Sequence, residues 1–167
     1  MLSTKNTGLQ GHKESFIVLA HNLRSAYNVG SLFRTADGAG VDHIVLGGYT
    51  PTPPRADISK TALGADTTLS WEQQKQPWRW LVRMKKSGFH IVALENNVPG
   101  FRPISLFKFK PQFPLILVLG NEVHGLSKTM LSYADTIIQI PMHGSKESLN
   151  VAIAFGIAAY YISNKKT

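Results

Sequence analysis

Short apolar runs rich in β-branched residues recur at 16–20, 43–46, 90–94, 115–119 and 136–140, and longer segments with helical spacing separate them. This feature constrains the fold more than any other. A run such as Leu-Ile-Leu-Val-Leu at 115–119 has no polar side to turn to water, so it must be covered on both faces. Strands of that kind alternating with helices predict an α/β chain built as a three-layer sandwich, with a mainly parallel sheet between two layers of helix. Helices are expected at 29–39, 78–86, 128–133 and 149–163. Residues 1–15 show no periodicity and are read as a polar leader, which leaves 16–167 as a single domain.

The segment 149–163 stands apart, because Leu149, Val151, Ile153, Phe155, Ile157 and Tyr160 leave it almost no polar face. In a domain this small, one side of such a helix packs on the sheet and the other on a second subunit. A homodimer through this helix is therefore expected. The alternative is a helix buried all round within one chain.

Composition narrows the chemistry. Eighteen Lys and Arg oppose ten Asp and Glu, a net charge of +8 that suits a polyanionic partner. There is no cysteine, which excludes disulfides, thiolate metal sites and methylation of a pyrimidine carbon through a thiolate adduct. A cytoplasmic location fits that absence. The first fifteen residues lack the apolar core of a signal peptide, and the apolar run 151–162 is shorter than the roughly 20 residues of a membrane span, so a soluble, uncleaved chain without a membrane partner is expected. Histidines at 12, 21, 43, 90, 124 and 143 form no pair at helical ligand spacing, so no metal site is expected.

Common nucleotide and hydrolase signatures fail. Gly38-Ala-Gly40 lacks the third glycine of a dinucleotide fingerprint. The loop Gly120-Asn-Glu-Val-His-Gly125 has the glycine spacing of a phosphate loop, but Leu126 stands where the lysine is needed and Glu122 would repel phosphate. No Gly-x-Ser-x-Gly elbow is present for a serine hydrolase.

Three polar clusters at strand ends remain. The first holds Asn22, Arg24, Asn28, Gly30 and Arg34. Asn28 is a natural N-cap, and the bland role for Arg34 is an ion pair with Asp37. The second is Gly120, Asn121, Glu122 and Gly125, where the acid either serves a site or caps the next helix. The third is the loop from Ile140 to Asn150, in which Ser148 and Asn150 either serve a site or cap the apolar helix.

In this order the clusters resemble the three motifs of the SpoU/TrmH-type RNA ribose 2′-O-methyltransferases of the SPOUT superfamily. Motif one resembles Asn28-Val-Gly-Ser-Leu-Phe-Arg34-Thr-Ala-Asp, and motif two Leu117-Val-Leu-Gly120-Asn-Glu122-Val-His-Gly125-Leu-Ser. Motif three resembles Ile140-Pro-Met142-His-Gly-Ser-Lys-Glu-Ser148-Leu149-Asn150-Val-Ala, and Lys60-Thr-Ala-Leu-Gly-Ala is similar to a further family loop. The resemblance implies a C-terminal deep trefoil knot, S-adenosylmethionine held within it, and a homodimer with active sites at the interface. By the same resemblance, Gly120, Ile140 and Leu149 contact the cofactor, with Leu94 and Met142 beside them. Arg34 then acts as the base or, more plainly, as a phosphate clamp, while Asn28, Ser148 and Asn150 organise the reacting hydroxyl and its loops, and Glu122 belongs to the same catalytic set.

The expected partner is RNA rather than DNA. Lys75, Arg79, Arg83, Lys85, Lys86 and Arg102, with Lys108 and Lys110, face only Glu95 across 75–110, and one of Trp78 and Trp80 is expected in the core. With no appended RNA-binding domain in view, a small exposed RNA element is expected, tRNA ahead of ribosomal RNA. The alternative from another class is a noncatalytic RNA-binding module that keeps the knotted fold.

Overall fold

A computed structural model describes residues 12–167 of the protein, so most of the expected polar leader lies outside the described residues. Seven strands, β1 (Phe16–His21), β2 (His43–Gly47), β3 (Trp71–Gln74), β4 (His90–Leu94), β5 (Ile104–Ser105), β6 (Leu115–Leu119) and β7 (Thr136–Gln139), form one sheet in the order β3-β2-β1-β6-β4-β7-β5. Every pairing is parallel. The helices are α1 (Ala26–Gly38), α2 (Ala56–Ala62), α3 (Ala65–Thr68), α4 (Pro77–Lys86), α5 (Lys128–Ser132) and α6 (Val151–Ser163).

The continuous apolar strands are covered on both sides, as their composition requires. Phe16, Val18 and Ala20 of β1 pack with Phe33 of α1, Ile58 of α2 and Phe155 of α6. Their neighbours Ile17 and Leu19 point the other way, into a second cluster with Trp80 and Leu81 of α4 and Met130 of α5. Each central strand thus feeds two cores, and truncating a buried residue such as Leu117 would cost about 2–5 kcal/mol.

Several expectations need correction. The first helix begins three residues before 29, because Ser25 rather than Asn28 is its N-cap and accepts the Asn28 amide at 3.1 Å. The expected helix 149–163 begins at Val151, with Asn150 as its cap. That helix is not buried all round in one chain: Phe155, Ala158 and Ile162 are buried, but Ile153 and Tyr160 are more than half exposed. Strands β3 and β5 and helices α2 and α3 lie outside the elements expected from sequence. The strand Trp-Glu-Gln-Gln is a half-exposed sheet edge that needs no apolar run, and β5 has two residues.

The basic stretch is not one patch. Lys85 is tied to Asp135 at 2.6 Å and to the Tyr133 carbonyl, while Lys108 lies in a 3-10 turn between β5 and β6. Trp80 is the core tryptophan and Trp78 is exposed.

Candidate active site at the C-terminal edge of the sheet

Because all the strands are parallel, their C-terminal ends share one edge, the usual place for a ligand in an open α/β sheet. The loops that follow β4, β6 and β7 enclose a cavity of about 310 Å³ there. Leu94, Ile140 and Leu149 supply apolar lining, and Gly120, Glu95 and Ser148 supply polar and backbone surface.

The motif-two loop folds back on itself. Asn121 and Gly125 bridge one another, with the Gly125 amide donating to the Asn121 carbonyl at 2.9 Å. The fold-back demands glycine at 120, since a Cβ there would stand 2.6 Å from the Gly125 carbonyl carbon and 2.7 Å from the Leu126 nitrogen. Gly125 has φ +63°, and the space its side chain would take is filled by the Glu95 carboxylate. The buried Asn121 accepts from the amides of Val123 (2.8 Å) and His124 (3.0 Å). It also donates to the Asn22 carbonyl (2.8 Å) and the Tyr49 hydroxyl (3.1 Å).

Glu122 joins the three clusters. Its carboxylate accepts from the backbone amides of Arg24 (2.9 Å) and Ser25 (3.1 Å) at the N-terminus of α1, and from Asn28 Nδ2 at 3.2 Å. Asn28 Oδ1 in turn accepts from Asn150 Nδ2 at 3.3 Å, and Asn150 Oδ1 caps α6 through the Ala152 amide at 2.8 Å. Desolvation pushes the Glu122 carboxyl up, but the donors from Arg24, Ser25 and Asn28 outweigh it and hold the group below the ordinary carboxylate range. Glu122 therefore anchors the segment that enters α1, whose N-cap is Ser25, and does not cap the helix that follows it in sequence, which Ser127 caps. With its oxygens committed to these donors, it holds parts together rather than carrying a proton.

The remaining candidates fall in two groups. Leu94, Gly120, Ile140, Leu149 and Ser148 line the cavity, and Asn28 and Asn150 lie at its edge through Glu122. Met142 does not line it, and neither does Arg34. Arg34 is exposed on α1 and makes no ion pair with Asp37 or any other acid among the described residues. Glu95 is the site residue that sequence reasoning missed. It accepts from the Leu126 amide at 2.8 Å and the Asn96 amide at 3.2 Å, and burial, only partly offset by those donors, raises its carboxyl above the ordinary range. Like Glu122 it is an acid just after a buried strand, but it lacks the flanking glycines that mark Glu122.

Residues 15–160 match the SpoU rRNA Methylase family. The chain belongs to that family. It is 34% identical over 155 residues to a tRNA (guanosine(18)-2′-O)-methyltransferase of Aquifex aeolicus, covering 91% of this chain and 70% of that protein. A 23S rRNA (guanosine-2′-O-)-methyltransferase of Shewanella oneidensis is 30% identical over 145 residues, covering 87% and 57%. An AdoMet-bound rRNA methyltransferase from Sinorhizobium meliloti superposes with a TM-score of 0.80 at 27% identity, covering 90% and 56%. The chain thus spans little more than half the length of the latter two relatives.

Proposed function

We propose that this SpoU-family chain transfers a methyl group from S-adenosylmethionine to a ribose 2′-hydroxyl of RNA. The observation that carries the reading is the Glu122–Asn28–Asn150 junction, which draws all three motifs to the mouth of one cavity. The cavity chemistry fits the cofactor. Leu94, Ile140 and Leu149 suit an adenine face, the backbone of the Gly120–Gly125 fold offers polar contacts, and the Glu95 carboxylate suits a cationic ligand. Leu94, Gly120, Ile140, Leu149 and Glu95 would hold S-adenosylmethionine, which when bound supplies an electrophilic methyl group. Met142 stands outside this set.

The chain's own residues then have to position a weak nucleophile and exclude water from it. Ser148 at the cavity wall and Asn150, oriented by Asn28, are placed to hydrogen-bond a ribose hydroxyl. Arg34 acts as a clamp on an RNA phosphate, since a guanidinium rarely gives up its proton.

Arg34 reaches a site by way of a second subunit. Tyr27, Ser31, Arg34 and Gly38 share one stripe of α1, and a side chain at Gly38 would lie 2.9 Å from the Tyr160 hydroxyl of α6. The adjoining stripe of α6 leaves Ile153 58% and Tyr160 52% exposed, an apolar face suited to an identical partner. The strand order supports the knot: β6 sits between β1 and β4, β7 lies beyond β4, and α6 returns to pack on α1. We take 16–167 as one SPOUT domain acting in the cytoplasm, with tRNA favoured over ribosomal RNA on the strength of the Aquifex relative.

The test is transfer of labelled methyl from S-adenosylmethionine to unfractionated tRNA and to ribosomal RNA from cells lacking the gene. Label at an alkali-resistant linkage is the expected result, and label in the base or in neither RNA overturns the reading.

A further inference from the structure

Tyr49 is 62% exposed at the site edge, yet it is held still. Its backbone amide donates to Asn22 Oδ1 at 3.2 Å, and its hydroxyl accepts from Asn121, a residue of the cavity wall. The turn that presents it is constrained on both sides. Gly48 has φ +64°, and the Asn22 side-chain amide fills the space a Cβ would need. Asn22 itself has φ 55°, a conformation uncommon outside glycine and enriched where function requires it. Backbone constraint is thus spent on displaying an aromatic ring to solvent beside the cavity.

The surface continues from that turn onto α4. The Gly48 amide donates to the Gln74 carbonyl at 2.9 Å, and a Cβ on Gly47 would lie 3.2 Å from Pro77, the first residue of α4. Trp80, Leu81 and Met84 bury the inner side of α4. Arg79, Val82, Arg83 and Lys86, at helical spacing, face out, with Lys75 and the partly exposed Trp78 ahead of them. No acid lies on this stripe. Among the described residues, Lys75, Arg79, Arg83 and Lys86 make no ion pair, whereas the neighbouring Lys85 does. Like charges at helical spacing repel one another, and a polyanion strand relieves that repulsion.

We propose that Tyr49 and the outer face of α4 form one continuous RNA track, with α4 on the side of the sheet opposite α1 and α6. The Tyr49 ring stacks on a base flanking the target nucleotide, and Lys75, Arg79, Arg83 and Lys86 hold the phosphates that lead away from it. The proposal rests on the reading of RNA as the partner.

The experiment measures binding of unfractionated tRNA and of ribosomal RNA between about 50 and 200 mM salt, where phosphate contacts dominate the salt dependence. It uses the full chain, the combined variant K75Q/R79Q/R83Q/K86Q, Tyr49→Ala and Tyr49→Phe, with calorimetry of S-adenosylmethionine alongside. Loss of four phosphate contacts should flatten the slope of log affinity against log salt by about 3, at roughly 0.7 per single-strand contact. Tyr49→Ala should weaken RNA binding about 10-fold, Tyr49→Phe should keep most of the affinity, and S-adenosylmethionine affinity should not move in either. An unchanged salt slope overturns the track. So does a Tyr49→Ala variant that loses S-adenosylmethionine and RNA affinity together, which would make Tyr49 a prop for Asn121, and so does a wild type with no salt-dependent binding to either RNA. Failure of the methyl-transfer reading looks different, since the wild type would then bind RNA with the expected slopes yet leave it unlabelled.

Discussion

At the N-terminal edge of the sheet Asp135 meets Lys85 at 2.6 Å and Asp42 meets Lys166 at 3.4 Å, whereas at the C-terminal edge Glu95 and Glu122 have only uncharged donors. Both kinds of acid do similar backbone work. Asp42 accepts from the Phe16 amide and Asp135 from the Ile91 amide, much as Glu95 accepts from Leu126. The difference is in what remains afterwards. At one edge the charge is cancelled within the chain; at the other it stays open beside a cavity, while the cations Arg34 and Arg79 stand unpaired on the surface among the described residues. Charge left open beside a strand-end cavity is what marks that edge as the candidate ligand site.

The comparison can be broken most sharply at Gly120. Gly120→Ala forces the loop backbone apart and should lower methyl transfer by about 100-fold or more, with S-adenosylmethionine affinity, read by calorimetry, falling alongside it. A folded variant with full affinity would place the cofactor elsewhere. Next in size, and in the proposed dimer, Arg34→Ala and Asn150→Ala should each remove most activity on their own. Co-expressed with different tags, they should regain activity in the mixed dimer, where one site carries neither lesion; mixed dimers without gain would show that each chain supplies its own Arg34.

A smaller effect separates the two glutamates. Glu122 is depressed, so its stabilising contribution is present above the unfolded value of about 4.3 and lost as pH falls through its folded value. Glu95 is raised, so its contribution is full below about 4.3 and lost as pH climbs through its folded value. Urea midpoints against pH should therefore show Glu122→Gln flattening the loss of stability on the acid side and Glu95→Gln removing a decline on the other side of the ordinary value. Matching changes in the two variants would erase the distinction. The smallest effect belongs to the closed edge: Lys85→Ala should cost less than about 1 kcal/mol in chemical denaturation, because the pair is partly exposed, and should leave methyl transfer untouched.

How far these features are legible in sequence depends on where their partners lie along the chain. The strand Leu115–Leu119 could be read because its requirement, cover on both faces, is written in its own composition. The edge strand Trp71–Gln74 could not, since its stability comes from pairing with β2 and its residues are Glu and Gln. Asn28 could be read as important, but its partners Glu122 and Asn150 are distant in sequence, and local rules assigned it a cap that Ser25 in fact supplies. Family resemblance supplied the grouping of the motifs. Glu95 matched no motif, and its place directly after β4 gains meaning only when Gly125 and the Leu126 amide are seen against its carboxylate.

The position of β6 has a consequence for the order of assembly. Its neighbours β1 and β4 are both made before it, and both pair with it rather than with each other. A nascent chain that has emerged only as far as residue 114 therefore holds β1 to β3 on one side and β4 on the other, with unsatisfied strand edges facing a slot not yet filled, while β5 still waits for β7. The Glu122 anchor on the Arg24 and Ser25 amides is missing for the same interval. Early closure of β1 directly onto β4 would shut β6 out, so the native sheet forms only if that slot stays open until residues 115–119 arrive.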